Sequence, residues 1–189
     1  MIKTLSPIAV AGLLLLTSPA QADPAPKGVA PDLVQAAGVY KHRFENGDVT
    51  GDKYPSEDIL ELVQLSPKTA YFRIHSEFFN GHECNISGIA DLMPDALTYF
   101  GPANADNQGN PCTLKFRATA TGLTLEDVAD ACRVGNCGAR GGFGDGTDVD
   151  FPYARRRVIR YMARLKASRE FADAMKEHAA HPVGTPAPQ

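Results

Sequence analysis

Tryptophan is absent from this 189-residue sequence, and cysteine is scarce, with four residues. Long apolar runs are missing outside the N-terminus, which excludes a multi-span membrane protein because each span needs about 20 apolar residues. The remaining composition, with 43% hydrophobic and 22% charged residues, is ordinary for a folded protein and excludes a wholly disordered chain. A chain of this length is expected to form one domain, or two at most.

The common sequence motifs of enzymes are absent too. The chain contains no Gly-x-Ser-x-Gly elbow, no His-Glu-x-x-His helix and no phosphate-binding glycine loop. Its five histidines are scattered, and we find no second ligand type at metal-binding spacing beside them. We therefore expect no catalytic residues, no metal and no cofactor.

The N-terminus has the three parts of a signal peptide. Lys3 supplies the basic start, an apolar run extends from Ile8 to Leu16, and Ala20-Gln21-Ala22 forms a small-x-small cleavage site. The apolar run is too short for a transmembrane helix, although an uncleaved N-terminal anchor is the alternative. We predict a signal peptide over residues 1–22, a periplasmic or secreted protein, and no transmembrane segment in the mature chain.

Proline and alanine are frequent at both ends of the mature chain. Residues 23–37 are predicted to be a flexible leader and residues 181–189 a flexible tail, because closely spaced prolines prevent regular structure. Between them we predict a β-rich, disulfide-stapled domain over residues 38–152 and a basic amphipathic helical segment over residues 153–180.

Short strand patterns fill the first of these two regions. The clearest runs from Tyr71 to Phe79, where apolar and polar side chains alternate with a period of two. Residues 59–65 fit a strand or a short helix, and Gly138 to Phe143 is predicted as the final strand. The connections are too short for crossover helices. These patterns predict a mainly β fold with a C-terminal helix, in which a small antiparallel meander curls into a barrel or sandwich.

Charge is divided unequally along the mature chain. Residues 23–153 contain 19 Asp and Glu against 10 Lys and Arg, a net charge of −9. Residues 154–189 contain 8 Lys and Arg against 3 Asp and Glu, a net charge of +5. The basic part has helical spacing from Tyr153 to Lys166, and Ser168 either caps a second helix or lies within a continuous one. We expect its apolar stripe to pack on the β-domain.

Three arginines repeat at four-residue intervals in the basic part: Arg156, Arg160 and Arg164. In a helix they would share one face and repel one another, so an anionic group should lie beside them. The protein's own acidic domain or an anionic envelope polymer could supply it. Nucleic acid is not an expected partner of an exported protein with an acidic body.

The four cysteines are the most specific structural signal, because an exported chain enters an oxidising compartment that favours disulfides. Cys84 and Cys112 begin two predicted strands, and Cys132 and Cys137 enclose a short loop. Of the three connectivities, we favour Cys84 with Cys112 and Cys132 with Cys137. A zinc site or a catalytic thiol is the alternative use of these residues.

A cluster of aspartates lies among glycines near the end of the β-rich region: Asp145, Asp148 and Asp150. These carboxylates could bind a cation, or form a hydrolytic site together with a histidine, and the alternative is a solvated turn. Residues 104–109 resemble the start of a calcium loop, but Lys115 stands where that loop requires a glutamate. We therefore predict a polar hairpin loop there.

Three segments together resemble a known type of protein: Gly81 to Ala90, Cys112 to Leu114, and Cys137 to Phe143. A polar hairpin leads into a cysteine-bearing strand, which is followed by a second such strand and a closing Cys-Gly strand. This pattern resembles small exported bacterial β-domains of the lysozyme-inhibitor-like kind. The resemblance implies a compact antiparallel barrel that binds protein or glycan and performs no catalysis.

A binding function is consistent with that resemblance and with the charge of the β-domain. An acidic body attracts cationic enzymes, and Arg140, flanked by glycines, could present its guanidinium to carboxylates in a partner's cleft. We expect a non-catalytic exported binding protein of the cell envelope, and in the narrowest form an inhibitor of a cationic lytic enzyme such as lysozyme. The alternatives are a structural protein that binds envelope polymer and a hydrolase that acts on envelope material.

Overall fold

The computed structural model of the protein describes residues 28–103, 109–148 and 150–180. In these residues, antiparallel strands pair with their sequence neighbours from β1 to β8, and β9 pairs with β1. The strands are β1 (Gly38–Gly47), β2 (Lys53–Gln64), β3 (Thr69–Phe78), β4 (His82–Leu92), β5 (Leu97–Ala103), β6 (Pro111–Ala118), β7 (Gly122–Asp127), β8 (Phe151–Pro152) and β9 (Arg156–Arg157). The predicted antiparallel β fold with a C-terminal helix is confirmed. The predicted signal peptide, the loop at 104–108 and the tail from 181 lie outside the described residues.

Residues 151–157, here called the closing segment, turn the open meander into a nearly closed barrel. Its first two residues pair with β7 and its last two pair with β1, and a 3-10 turn over Tyr153–Arg155 joins the two pairs. Without this segment, β1 and β7 would both be sheet edges with unpaired backbone groups. The closing segment therefore covers two residues of each edge, Gly122 and Leu123 in β7 and Val39 and Tyr40 in β1.

Inward-facing aromatic and aliphatic side chains fill the centre of the barrel. The Phe72 ring lies 5.1 Å from the rings of both Tyr99 and Phe116, and Leu60, Leu62, Leu97, Leu114 and Leu123 are buried around them. Gly88 is required opposite Tyr99, because a Cβ at that position would lie 2.4 Å from the tyrosine ring. This interior follows from the alternation of the strands, which places every second residue inside.

The N-terminal leader is attached to the barrel from residue 28 onward, so the expectation of a flexible leader was wrong for residues 28–37. Val29 forms a β-bridge with Ala118 in β6. The Asp32 carboxylate accepts a hydrogen bond from the Val34 amide at 2.9 Å and so caps helix α1 (Leu33–Ala36). Leu33 and Ala36 are buried in the barrel core. The prolines precede this short helix and do not interrupt it.

The C-terminal helices pack across the outside of the barrel. They are α3 (Met162–Lys166) and α4 (Arg169–Ala180), and the Ser168 hydroxyl caps α4 by accepting a hydrogen bond from the Phe171 amide at 3.2 Å. Leu165, Phe171 and Ala174 pack against the outward side chains of Val39, Val63, Tyr71 and Ile89. None of the helices in the described ranges has the length and apolar character to span a membrane.

The helix predicted from Tyr153 was wrong before Met162. Arg156 and Arg157 have helical spacing in the sequence, but they lie in β9 and pair with Tyr40 and Val39. The edge of β1 determines this conformation. Pairing with Arg156 and Arg157 satisfies backbone groups of β1 that would have no partner if these two residues were helical.

All four cysteines form disulfides, but the predicted pairing was wrong. Cys84 is bonded to Cys137, and Cys112 to Cys132. The Asp127 carboxylate accepts hydrogen bonds from the amides of Cys132 and Arg133 at 2.8 and 2.9 Å. This turn folds the chain back after β7, so that Cys132 reaches Cys112 at the start of β6 rather than the nearby Cys137.

The strand predicted over Gly138–Phe143 is also absent. The segment between α2 (Arg133–Asn136) and β8 instead runs as turns beside the Cys84–Cys137 disulfide. A Cβ at Gly141 would lie 2.6 Å from the sulfur of Cys84. The glycines of this segment therefore allow a close approach to the disulfide, not a strand.

Candidate functional site at the polar end of the barrel

A cavity of about 350 Å³ opens at one end of the barrel interior. One wall consists of inward-facing residues of β1 to β3, and the other consists of β7 and the chain leading into β8. The lining combines polar groups with aromatic rings: His42, Asp58, Ser76, Phe78, Leu125, Gly142, Phe143, Gly144, Asp150 and Phe151. A concave site with a few polar groups in an apolar wall is the usual form of a ligand-binding pocket.

This end of the barrel is polar because the inward positions change character along β2. Leu62 and Leu60 are followed, at successive inward positions, by Asp58 and Ser56. Ser56 is buried, and its hydroxyl accepts a hydrogen bond from the side-chain Nδ2 of Asn46 in β1 at 3.1 Å. The alternation that builds the apolar core thus also delivers a carboxylate and hydroxyls to the cavity.

The ladder between β2 and β3 ends at this point, and carboxylates replace the missing backbone acceptors. The last regular pair is Ile59 with His75. Beyond it, the Glu77 amide donates to Asp58 Oδ1 at 2.9 Å, and the Glu57 amide donates to Glu77 Oε2 at 3.0 Å. The two strands separate here without leaving these amides unsatisfied.

Asp150 faces the same cavity from the opposite wall. Its Oδ2 accepts a hydrogen bond from the Leu125 amide at 2.6 Å. Burial raises the pKa of Asp150 to about 6, and the nearby charges of Asp145 and Asp148 also raise it. At neutral pH this carboxylate is mostly ionised in a site that disfavours its charge.

Asp58 is the second carboxylate of the cavity. Burial raises its pKa above the ordinary value, and the Glu77 amide and His42 oppose that shift. The nearest basic group is His42, whose Nδ1 lies 3.7 Å from Asp58 Oδ2. Among the described residues, no lysine or arginine forms an ion pair with Asp58 or Asp150. The cavity therefore holds two acidic groups without a matching cation.

The predicted acidic cluster is divided in the structure. Asp150 lies in the cavity, whereas Asp145 and Asp148 are exposed. Asp145 accepts hydrogen bonds from the amide and the hydroxyl of Thr147, as in an ordinary polar turn. The expected three-aspartate site is therefore one cavity residue and two solvated carboxylates.

The four predicted arginines lie at four different places. Arg140 is exposed, with its guanidinium 5.5 Å from the ring centroid of Phe79. Arg156 lies in β9 and donates to the Ala37 carbonyl at 3.0 Å, Arg160 is exposed in a turn, and Arg164 lies 5.1 Å from the ring centroid of Tyr161 in α3. The expected single helical face of arginines was wrong, because only Arg164 is helical.

Sequence reasoning missed Asp58 and His42 as cavity residues. A usable signal was present for His42, which lies between the apolar inward residues Tyr40 and Phe44 of β1, and Asp58 follows the apolar inward residue Leu60 of β2. Polar residues at such positions are uncommon unless they are paired or functional. The strand read from residue 59 began one position too late to include Asp58.

No family model matches this chain, and comparisons with curated proteins and with solved structures found no match. The fold and the cavity define a small, disulfide-linked antiparallel barrel with an acidic pocket at one end.

Proposed function

We propose that this chain is a non-catalytic exported binding protein of the cell envelope whose acidic cavity receives a cationic group presented by a partner. The observation that carries the proposal is the pair of carboxylates, Asp58 and Asp150, in an open cavity without a lysine or arginine partner among the described residues. A guanidinium or ammonium group forms charge-assisted hydrogen bonds with carboxylates of this kind.

The size and the lining of the cavity favour a side chain over a large ligand. A volume of about 350 Å³ lies at the small end of the range for ligand pockets. Phe78, Phe143 and Phe151 provide apolar and aromatic surface, which suits the aliphatic stem of lysine or arginine and the face of a guanidinium.

Charge over the whole β-domain supports a basic protein as the source of that group. The net charge of −9 over residues 23–153 would steer a cationic protein toward the barrel and raise its association rate. The N-terminal signal pattern and the two disulfides support export. The resemblance to lysozyme-inhibitor-like domains makes a cationic lytic enzyme such as lysozyme the first partner to test.

Titration of the mature protein into a lysozyme assay, together with calorimetric binding, tests this proposal. We expect binding that weakens as salt is added, and lysis that slows at stoichiometric excess. The double substitution Asp58→Asn and Asp150→Asn should weaken binding at least tenfold, because it removes both charges and keeps oxygen acceptors for the Glu77 and Leu125 amides.

Asp148→Asn is the matched control, since it removes one charge from an exposed position outside the cavity. Its effect on affinity should stay within about twofold at moderate salt. Absence of binding at stoichiometric excess would reject lysozyme as the partner. Equal losses for the control and the cavity variants would reject the cavity as the site.

A second candidate function rests on the arginines near the closing segment. Arg155, Arg156, Arg157 and Arg160 are exposed, and none of them forms an ion pair with a carboxylate in the described residues. The acidic domain does not neutralise them in cis, so they could bind an anionic envelope polymer. Neutral substitution of all four arginines should then abolish sedimentation with that polymer, and unchanged sedimentation would reject this candidate.

A further inference from the structure

Three potential metal ligands lie together on the outer face of the hairpin formed by β3 and β4, away from the barrel cavity. His75 and Glu77 are two positions apart on β3, so they share one face, and Glu83 lies directly across from Glu77 on β4. One ligating atom from each residue lies within 4.8 Å of the other two. The hairpin register alone therefore gathers an imidazole and two carboxylates.

Asn85 determines which nitrogen of His75 carries the proton. The Asn85 amide nitrogen donates to Glu83 Oε2 at 3.3 Å, and a carboxylate can only accept. The Asn85 oxygen must then be the atom that lies 2.7 Å from His75 Nδ1. His75 Nδ1 is consequently a donor, and in the neutral ring the lone pair is on Nε2.

Glu77 is held with an oxygen directed at that lone pair. Its Oε2 accepts a hydrogen bond from the Glu57 amide at 3.0 Å, and its Oε1 lies 3.3 Å from His75 Nε2. Glu83 lies directly across from Glu77 on β4 and adds a second carboxylate to this face of the hairpin. Like charges at such opposed positions are unfavourable unless a cation lies between them.

We propose that His75, Glu77 and Glu83 bind a divalent transition metal, with Zn²⁺ as the reference ion. Nitrogen and oxygen ligands bind zinc at about 2.0–2.2 Å, so two ligands of a tetrahedral ion are about 3.3–3.5 Å apart. The separation of 3.3 Å between His75 Nε2 and Glu77 Oε1 matches one edge of that tetrahedron. Glu83 is exposed, so its side chain is free to close the remaining distance.

The hydrogen bonds around these ligands are those of a prepared metal site. Asn85 orients the imidazole from its far nitrogen, and the Glu57 amide orients Glu77, as outer partners of zinc ligands commonly do. A groove of about 520 Å³ that includes His75, Asn85 and Ser87 runs beside the site. Three protein ligands would leave a fourth position of the ion for water or for a donor atom of a ligand.

Calorimetric titration of the chelator-treated, disulfide-intact protein with Zn²⁺ tests the proposal. We expect one site per chain, a loss of affinity of at least tenfold for His75→Ala and for Glu77→Gln, and a loss of about 10- to 100-fold for Asn85→Ala, which removes only the orienting amide. His178→Ala is the matched control. His178 also pairs with a carboxylate, Asp91 at 2.9 Å, and its loss should leave zinc affinity unchanged.

The nitrogen-15 spectrum of the His75 ring gives a second readout that does not depend on the stability of any variant. Zinc should shift Nε2 to the range of a coordinated nitrogen while Nδ1 keeps its proton. The opposing structure is a doubly protonated His75 in an ion pair with Glu77. A ring that stays doubly protonated at neutral pH with equimolar zinc, or equal zinc affinity for the wild type and His75→Ala, would overturn the proposal.

Discussion

At the centre of the barrel interior, the Phe72 ring packs between Tyr99 and Phe116, whereas at the open end Asp58 and Asp150 face a cavity. The same strands build both regions, and only the inward residues differ. Apolar burial in the first region stabilises the fold. Partly buried carboxylates without a lysine or arginine partner in the second region oppose it, because burial disfavours their charge. The comparison indicates that one region maintains the fold and that the other carries an energetic cost, which is consistent with the binding role we propose for it.

The largest expected effect comes from opening the apolar region. Phe72 is fully buried, and Phe72→Ala removes a ring that touches two other rings. We expect the free energy of unfolding to fall by about 3–5 kcal/mol. Equilibrium denaturation in urea without reductant measures it. Val49→Ala, at a position that is 69% exposed, should change the stability by less than about 0.5 kcal/mol.

A smaller effect of opposite sign is expected in the cavity. The pKa of Asp150 is about 6 in the folded protein and about 3.8 when the residue is unperturbed, so the folded state binds more protons between these values. The contribution of Asp150 to stability should therefore decrease as pH rises from about 4 to about 6 and remain lower above that range. Asp150→Asn removes this loss while keeping an acceptor for the Leu125 amide.

At pH 7 the Asp150→Asn protein should be more stable than the wild type by about 1–3 kcal/mol, since each pH unit between the two pKa values corresponds to about 1.4 kcal/mol. At pH 4 the two proteins should have nearly equal stability. Urea denaturation across this pH range measures the difference. A stability difference between the two proteins that is constant between pH 4 and pH 7 would contradict the assigned role of Asp150. If Asp150→Asn is more stable than the wild type and also binds a cationic partner more weakly, then Asp150 lowers stability in exchange for function.

The strand framework was predictable because each strand carries its own local pattern. The alternation from Tyr71 to Phe79 identified β3 to within two residues at each end, and a helix capped by Ser168 was one of the two alternatives for the start of α4. The long-range features were not predictable in the same way. The pairing of Cys112 with Cys132 depends on how Asp127 turns the chain, and the strand at Arg156 depends on the uncovered edge of β1.

The candidate sites show the same difference between what local sequence patterns predict and what depends on long-range contacts. Asp150 was identified because it lies in a segment rich in aspartate and glycine. Its separation from Asp145 and Asp148 could be seen only from the three-dimensional path of the chain. The grouping of His75 with Glu83 required the register of β3 and β4, which places residues from two strands side by side. Spacing along one strand showed only His75 and Glu77, which are too few to indicate a metal.

The closing segment also affects the order in which the barrel can form. Arg156 donates to a carbonyl 119 positions earlier in the chain, at Ala37. During synthesis, all strands from β1 to β7 emerge before the residues that cover their outer edges. Until residues 151–157 dock, the meander exposes two strand edges that another copy could extend. Closure at such a sequence separation is also an intrinsically slow step. The interval before docking is therefore the stage at which this protein is most exposed to edge-to-edge aggregation.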